Sequence, residues 1–151
     1  MANEPDYNQQ IANLMKLSAD GNKYNIDNLP GGASSLNRFA RTFYATTILP
    51  DTVKSQQDAV GDIYSVINAA SVPYNDLKCS LLDASAPPQD TWPTVWISAA
   101  DLNARILYYS NVRIGNRVWV DLNKVNLSED QKPKSIDLEN AQLVGDLSSQ
   151  F

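Results

Sequence analysis

Apolar residues recur every three or four positions in three segments of the first half of the chain. Such spacing places them on one face of an α-helix and predicts three amphipathic helices, over residues 5–17, 35–49 and about 54–70. Pro5 suits the first turn of the first helix, and Ser34 or Ser35 can cap the second. In the second helix Arg38 lies outside the apolar face.

The pattern changes after Pro73, where short runs of β-branched and aromatic residues alternate with polar turns. The predicted elements are a proline-rich loop at 85–90, strands at Thr94–Ala99, Ala104–Ser110 and Arg117–Leu122, turns at Asp101–Asn103 and Gly115–Asn116, and an edge strand near Ser135–Leu138. Helices first and antiparallel strands after predict an α+β fold. We expect a single or partial domain over 1–151, with a helical part at about 5–72, a loop at about 75–92 and a β part at about 93–151.

Composition narrows the possible partners of the chain. Its 151 residues, 43% of them hydrophobic, suffice for one core. A net charge of -5 with scattered Lys and Arg argues against nucleic acid and against an anionic membrane surface. The sequence shows neither an apolar run that would span a bilayer nor a signal-peptide pattern, so we expect a soluble protein, of unknown compartment.

The chain has no His and a single cysteine, Cys79. A Ser-His-Asp or Cys-His mechanism within this chain is therefore excluded, and we expect no disulfide, metal or cofactor. Lys78 could lower the pKa of the Cys79 thiol, but without a His base, and with leucines around it, we interpret Cys79 as an ordinary buried cysteine.

Two segments carry a family resemblance: Met1-Ala2-Asn3-Glu4-Pro5, and Leu-Pro-Gly-Gly-Ala-Ser-Ser-Leu-Asn-Arg-Phe at 29–39. In order and spacing they resemble the second half of a choloylglycine hydrolase, a family that includes the penicillin V acylases. Further similar segments extend the resemblance over nearly the whole chain: Pro5–Leu14, Ala70–Tyr74, Thr94–Tyr109 and Val118–Leu122.

The resemblance implies the C-terminal part of the four-layer αββα fold of N-terminal-nucleophile hydrolases. Members of this family cleave linear amide bonds with an N-terminal cysteine whose own α-amino group acts as the base. This chain begins with Met-Ala, so the expected partners are an N-terminal half that carries the Cys nucleophile, an acyl-amide substrate and further copies in a homo-oligomer. Candidate substrates are penicillin V, conjugated bile salts and N-acyl-homoserine lactones, in a bacterial cytoplasm or periplasm.

The same resemblance predicts two catalytic residues, Asn3 as an oxyanion donor and Arg38 as a cation beside the nucleophile; it identifies no substrate-binding residues. The chain departs from the family at Ala2, where Thr is usual, and at Glu4, which adds a negative charge beside the proposed donor. Other roles stay open, because an Asn before x-Pro can simply shape a turn and an Arg near a helix start can simply be solvated.

Three interpretations of the whole chain follow from the missing nucleophile. The chain is part of an amidase and inactive alone, or a non-catalytic binding or structural module derived from the fold, or a portion of a longer chain with Met1 internal. A group of aromatic residues could line a substrate pocket, pack the sheet against its helices or form a subunit contact: Trp92, Trp96, Tyr108, Tyr109 and Trp119.

Overall fold

The structure, a computed structural model, describes residues 5–17, 29–72 and 93–151. These residues belong to two compact units, a helical unit (5–17 and 29–72) and a sheet unit (93–151). Several predicted features lie outside the described residues: Asn3, Cys79, Trp92 and the loop at 85–90. No helix within the described ranges is long and apolar enough to cross a membrane.

The first helix, α1, spans Tyr7–Leu17 and begins one residue after its cap. The Asp6 carboxylate accepts a hydrogen bond from the backbone N–H of Gln9 at 3.0 Å, as an N-cap residue does. Pro5 therefore precedes the cap, and its predicted place in the first turn is wrong. Gln10 and Leu14, four residues apart on one face, are the buried residues of this helix.

The second helix, α2, spans Ser35–Thr47 and confirms the prediction of a serine cap. Ser34 Oγ accepts a hydrogen bond from Asn37 N at 3.3 Å. Ala40 is fully buried, and the ring of Phe39 meets the ring of Tyr7 on α1 edge to face, 6.3 Å between centroids. The apolar stripe of α2 thus packs against α1.

The third helix, α3, spans Gln56–Ala69 and is capped by Ser55. Ser55 Oγ accepts a hydrogen bond from Asp58 N at 3.1 Å and donates one to the Asp58 carboxylate at 2.9 Å. Tyr64 and Val66 are its buried residues. All three predicted helices are therefore present, with ends that move by a few residues.

The sheet unit contains the strands β1 (Trp96–Asp101), β2 (Ile106–Asn111), β3 (Asn116–Asp121) and β4 (Gly145–Asp146), in that spatial order. The first three pair antiparallel, as predicted, with ends displaced by one or two residues. The short β4 pairs with β3 in parallel. The sheet is therefore mixed, which corrects the expectation of antiparallel strands alone.

The predicted edge strand at Ser135–Leu138 is wrong, because those residues form no strand. Buried asparagine side chains hold the neighbouring backbone instead: Asn111 Nδ2 donates to Leu138 O at 3.5 Å, and Asn116 Nδ2 donates to Leu143 O at 3.0 Å. The backbone carbonyls of Leu138 and Leu143 thus accept hydrogen bonds from side chains and not from a neighbouring strand.

The aromatic residues of the sheet are divided between its two faces. Trp96 stacks on Tyr109, with centroids 6.0 Å apart, whereas Tyr108 contacts Trp119 on the opposite face at 6.2 Å. Within the described sheet these four rings therefore form two pairs and do not line a common pocket.

Candidate active site

Arg38 is the fourth residue of α2 and lies one turn inside its N-terminus. Its backbone N–H donates to Ser34 O at 2.9 Å, so the serine cap fixes the turn that presents it. The side chain is half-buried, and its Nε is inaccessible to solvent with no hydrogen-bond partner among the residues described. Arg38 is therefore not the fully solvated arginine that its sequence position allowed.

The turn at 29–34, which leads into α2, is held by a second arginine one helical turn further on. Arg41 Nη1 donates to Pro30 O at 2.8 Å and to Gly32 O at 2.7 Å. Arg41 Nε donates to Ala69 O, at the end of α3, at 2.7 Å. One guanidinium thus ties the turn before α2 to the C-terminus of α3.

Gly32 allows this turn to lie close to α2. A Cβ atom at Gly32 would stand 2.4 Å from the side-chain nitrogen of Asn37, which is closer than a normal contact. Any other residue at this position would displace the Asn37 side chain. Because that nitrogen is the end of a flexible side chain and can move aside, the contact favours glycine here without requiring it.

The two arginines have different electrostatic environments. Burial, and then the positive charge of Arg38, lower the pKa of the Arg41 guanidinium, which stays protonated as arginine does in proteins. Arg41 directs three of its donors to backbone carbonyls. Arg38 retains a buried donor that bonds nothing in the described part of the chain. Among the described residues, the Arg41 guanidinium is thus engaged with backbone carbonyls, whereas Arg38 Nε has no acceptor.

Gln10 connects α1 to the first turn of α2. The side chain is only 1% exposed, and its Nε2 donates to Pro5 O and to Ser35 Oγ, both at 3.2 Å. It lies on the stripe that also carries Leu14, where an apolar residue is usual. Gln10 thus joins the backbone just before α1 to the residue that begins α2.

Sequence reasoning named Arg38 and Asn3 and missed two other residues of this region. Arg38 lies in the described helix and Asn3 lies outside the described residues; the catalytic roles of both stay predictions. Gln10 and Arg41 were overlooked. The sequence did contain a signal for Gln10, which is a polar residue in an apolar stripe, four positions before Leu14. No local pattern indicates the bonds of Arg41, because they join separate segments.

Comparison with known protein families supplies the assignment that the described residues alone do not. Residues 1–139 match the family of linear amide C-N hydrolases described as the choloylglycine hydrolase family. The chain belongs to the choloylglycine hydrolase family. The match includes Asn3, Gln10, Arg38 and Arg41. A comparison with curated proteins found no match.

Comparison with solved structures gives the fold of this family member. The penicillin V acylase from Agrobacterium tumefaciens matches 99% of the chain with a TM-score of 0.75 and 22% sequence identity. The chain spans 45% of the length of that enzyme. Three helices followed by a four-stranded mixed sheet thus match part of the penicillin V acylase fold.

Proposed function

We propose that this chain supplies the C-terminal part of a cysteine N-terminal-nucleophile amidase that hydrolyses linear amide bonds. The half-buried Arg38, on a helix whose start is fixed by Ser34 and Arg41, is the observation that carries the proposal. Family membership over residues 1–139 and the fold match support it. In this proposal the two units contribute to a four-layer αββα fold that a second, cysteine-bearing segment completes.

The proposed reaction is acyl transfer through a thioester. The cysteine thiolate attacks the amide carbonyl, the tetrahedral intermediate expels the amine, and water then cleaves the thioester. Arg38 favours the thiolate form of the cysteine by its positive charge. Asn3 donates a hydrogen bond to the developing oxyanion, an interaction that can lower the barrier by about 3 kcal/mol.

Penicillin V, conjugated bile salts and N-acyl-homoserine lactones are the substrate classes to test. The solved structure of similar fold is a penicillin V acylase, so penicillin V is the first choice. The sheet unit exposes apolar side chains, with Trp96 at 56% and Leu107 at 47%. Exposed apolar surface of this kind fits a chain that associates with a second segment and with further copies of itself.

The test begins with everything that copurifies with this chain from its native source. Intact-mass analysis with N-terminal sequencing should find a polypeptide segment that begins with cysteine, and the sample should release phenoxyacetate from penicillin V. The purified 151-residue chain should release none. Saturable hydrolysis by the chain alone would contradict the proposal.

Two substitutions then assign the roles in the active assembly. Asn3→Ala should lower kcat by roughly 10²–10³-fold, as loss of an oxyanion donor does elsewhere. Arg38→Met should shift the acidic limb of the pH–rate profile to higher pH, because the thiol loses a neighbouring cation. A monomeric chain that copurifies with no cysteine-initiated segment would instead favour the rival function, a non-catalytic binding or structural module.

A further inference from the structure

Gln10 stands out because packing alone does not account for it. It is 1% exposed at a position where a leucine or methionine would fill the same space. Burying an amide costs free energy unless each of its polar atoms is bonded. The Nε2 atom has two partners, but Oε1 is buried and bonds none of the residues described. An apolar residue at this position would avoid the free-energy cost of burying Oε1 without a hydrogen bond.

What the amide supplies is directed contact between two chain segments. One Nε2 atom donates to Pro5 O and to Ser35 Oγ, both at 3.2 Å. Hydrogen bonds weaken steeply when their angle or distance departs from the optimum, whereas apolar contacts tolerate sliding. The Gln10 bonds thus fix the backbone that enters α1 relative to the first turn of α2.

The two segments that Gln10 joins are those of the predicted catalytic residues. Pro5 is two residues after Asn3 in the sequence, and Ser35 is three residues before Arg38, one turn away on the same helix. We propose that Gln10 is a positioning residue for Arg38, because its bond to Ser35 Oγ fixes the first turn of α2, which presents Arg38, against the backbone at Pro5. This inference rests on the proposed function for its catalytic meaning, but its geometric content can be tested without activity.

The ring contact between α1 and α2 does not fix the backbone that enters α1. Tyr7 and Phe39 meet edge to face at 6.3 Å, but Tyr7 is 69% exposed, so its ring can shift without losing a buried polar partner. Leu14 is buried and contributes packing. Neither Tyr7 nor Leu14 is hydrogen-bonded to the described backbone before α1 through its side chain. Of these two residues and Gln10, we therefore expect only Gln10 to control the placement of that backbone.

The experiment measures this placement by paramagnetic relaxation. A nitroxide is attached to a cysteine introduced by Pro5→Cys, which keeps the backbone carbonyl that accepts from Gln10, in a Cys79→Ser background. The relaxation of the Arg38 and Phe39 amide protons is recorded by NMR. Gln10→Met, which keeps the side-chain shape and removes the donor, should lower this relaxation rate at least two-fold. Ser35→Ala removes one acceptor and should lower it in the same direction.

Two controls separate positioning from general loss of structure. Gln9→Met alters the exposed neighbour of Gln10 on α1 and should leave the relaxation unchanged. Leu14→Ala destabilises the same helix by packing loss and should also leave it unchanged under conditions where all variants are folded. Equal relaxation in Gln10→Met, Ser35→Ala and the unsubstituted labelled chain would overturn the inference, as would an equal change in Leu14→Ala.

The outcomes also distinguish this inference from the proposed function. Loss of relaxation in Gln10→Met with no hydrolysis by the native assembly would support Gln10 as a link between the two segments and reject the amidase. Hydrolysis by the native assembly together with unchanged relaxation would support the amidase and reject positioning by Gln10.

Discussion

Arg38 and Arg41 show how two identical side chains one helical turn apart acquire different tasks. Arg41 reaches three backbone carbonyls in two separate segments, which makes it a structural tie. Arg38 has a buried Nε without a partner in the described ranges, which suits a residue that meets an anionic group supplied from elsewhere. Their partners, not their residue type, distinguish the structural role of Arg41 from the catalytic role proposed for Arg38.

The tie made by Arg41 can be tested by a conservative substitution. Arg41→Lys keeps the charge but loses the planar fork, so it cannot satisfy carbonyls of both segments. We expect the free energy of unfolding to fall by about 1.5–3 kcal/mol in urea denaturation, the range for hydrogen bonds to a charged group. Arg38→Lys is the matched control on the same helix; an equal loss in both variants would contradict the assignment.

Asp146 is the residue whose ionisation most clearly affects the sheet unit. Hydrogen bonds from Lys124 Nζ, at 2.8 Å, and from the Ser148 hydroxyl and N–H hold the pKa of its carboxyl well below its usual range. A depressed pKa means that the stabilisation is fully present above the ordinary value of 3.8. It is lost as the pH falls from there towards the folded-state pKa.

Asp146→Asn should therefore reduce the stability of the sheet unit at neutral pH and flatten the acid limb of its pH dependence. The gap in unfolding free energy between the unsubstituted chain and this variant should narrow below pH 3.8. Urea denaturation between neutral and acid pH measures it. Asp130→Asn is the control, since the exposed Asp130 carboxylate bonds none of the residues described; a gap that stays constant would contradict the prediction.

At the scale of elements, the sequence predicted the helices, which depend on neighbouring residues, better than it predicted the strand pairing, which depends on distant ones. The apolar spacing located α2 and α3, and a serine signal located the start of α2, because a helix is stabilised by its own caps and one buried face. The parallel pairing of β4 was missed because it depends on residues about 27 positions apart, which include Val118 and Gly145. The tie made by Arg41 was missed for the same reason.

Gly61 tests how far helix propensity limits α3. It lies inside the helix, and a Cβ there would meet no heavy atom within 4 Å. Gly61→Ala should therefore raise the free energy of unfolding by about 0.5–1 kcal/mol, because glycine loses more conformational entropy on folding.

At Gly115 the same substitution, glycine to alanine, is expected to have the opposite effect on stability. It ends the turn between β2 and β3 with a φ of +69°, a conformation that other residues adopt at a cost. Gly115→Ala should lower the free energy of unfolding by about 1 kcal/mol. Chemical denaturation of both variants measures the two signs, and destabilisation by Gly61→Ala would show an unrecognised contact on α3.

For the whole molecule, the last residues matter although the family match ends at 139. Leu147 N donates to Trp119 O at 2.9 Å, and Ser148 Oγ accepts from Asp121 N at 2.8 Å. Asn116 reaches Leu143 O from within the sheet. Residues 140–151 are thus bonded along β3 and complete the sheet unit.

Loss of these contacts should destabilise the sheet unit. Leu147 is 4% exposed, so Leu147→Ala should lower the free energy of unfolding by about 2–4 kcal/mol through lost burial and the cavity that remains. Leu102→Ala, at a side chain 85% exposed in the turn between β1 and β2, is the control and should change it by less than about 0.5 kcal/mol. Urea denaturation followed by tryptophan fluorescence reports on the sheet unit through Trp96 and Trp119. Similar midpoints for both variants would mean that the segment after residue 139 adds nothing to the sheet that it contacts.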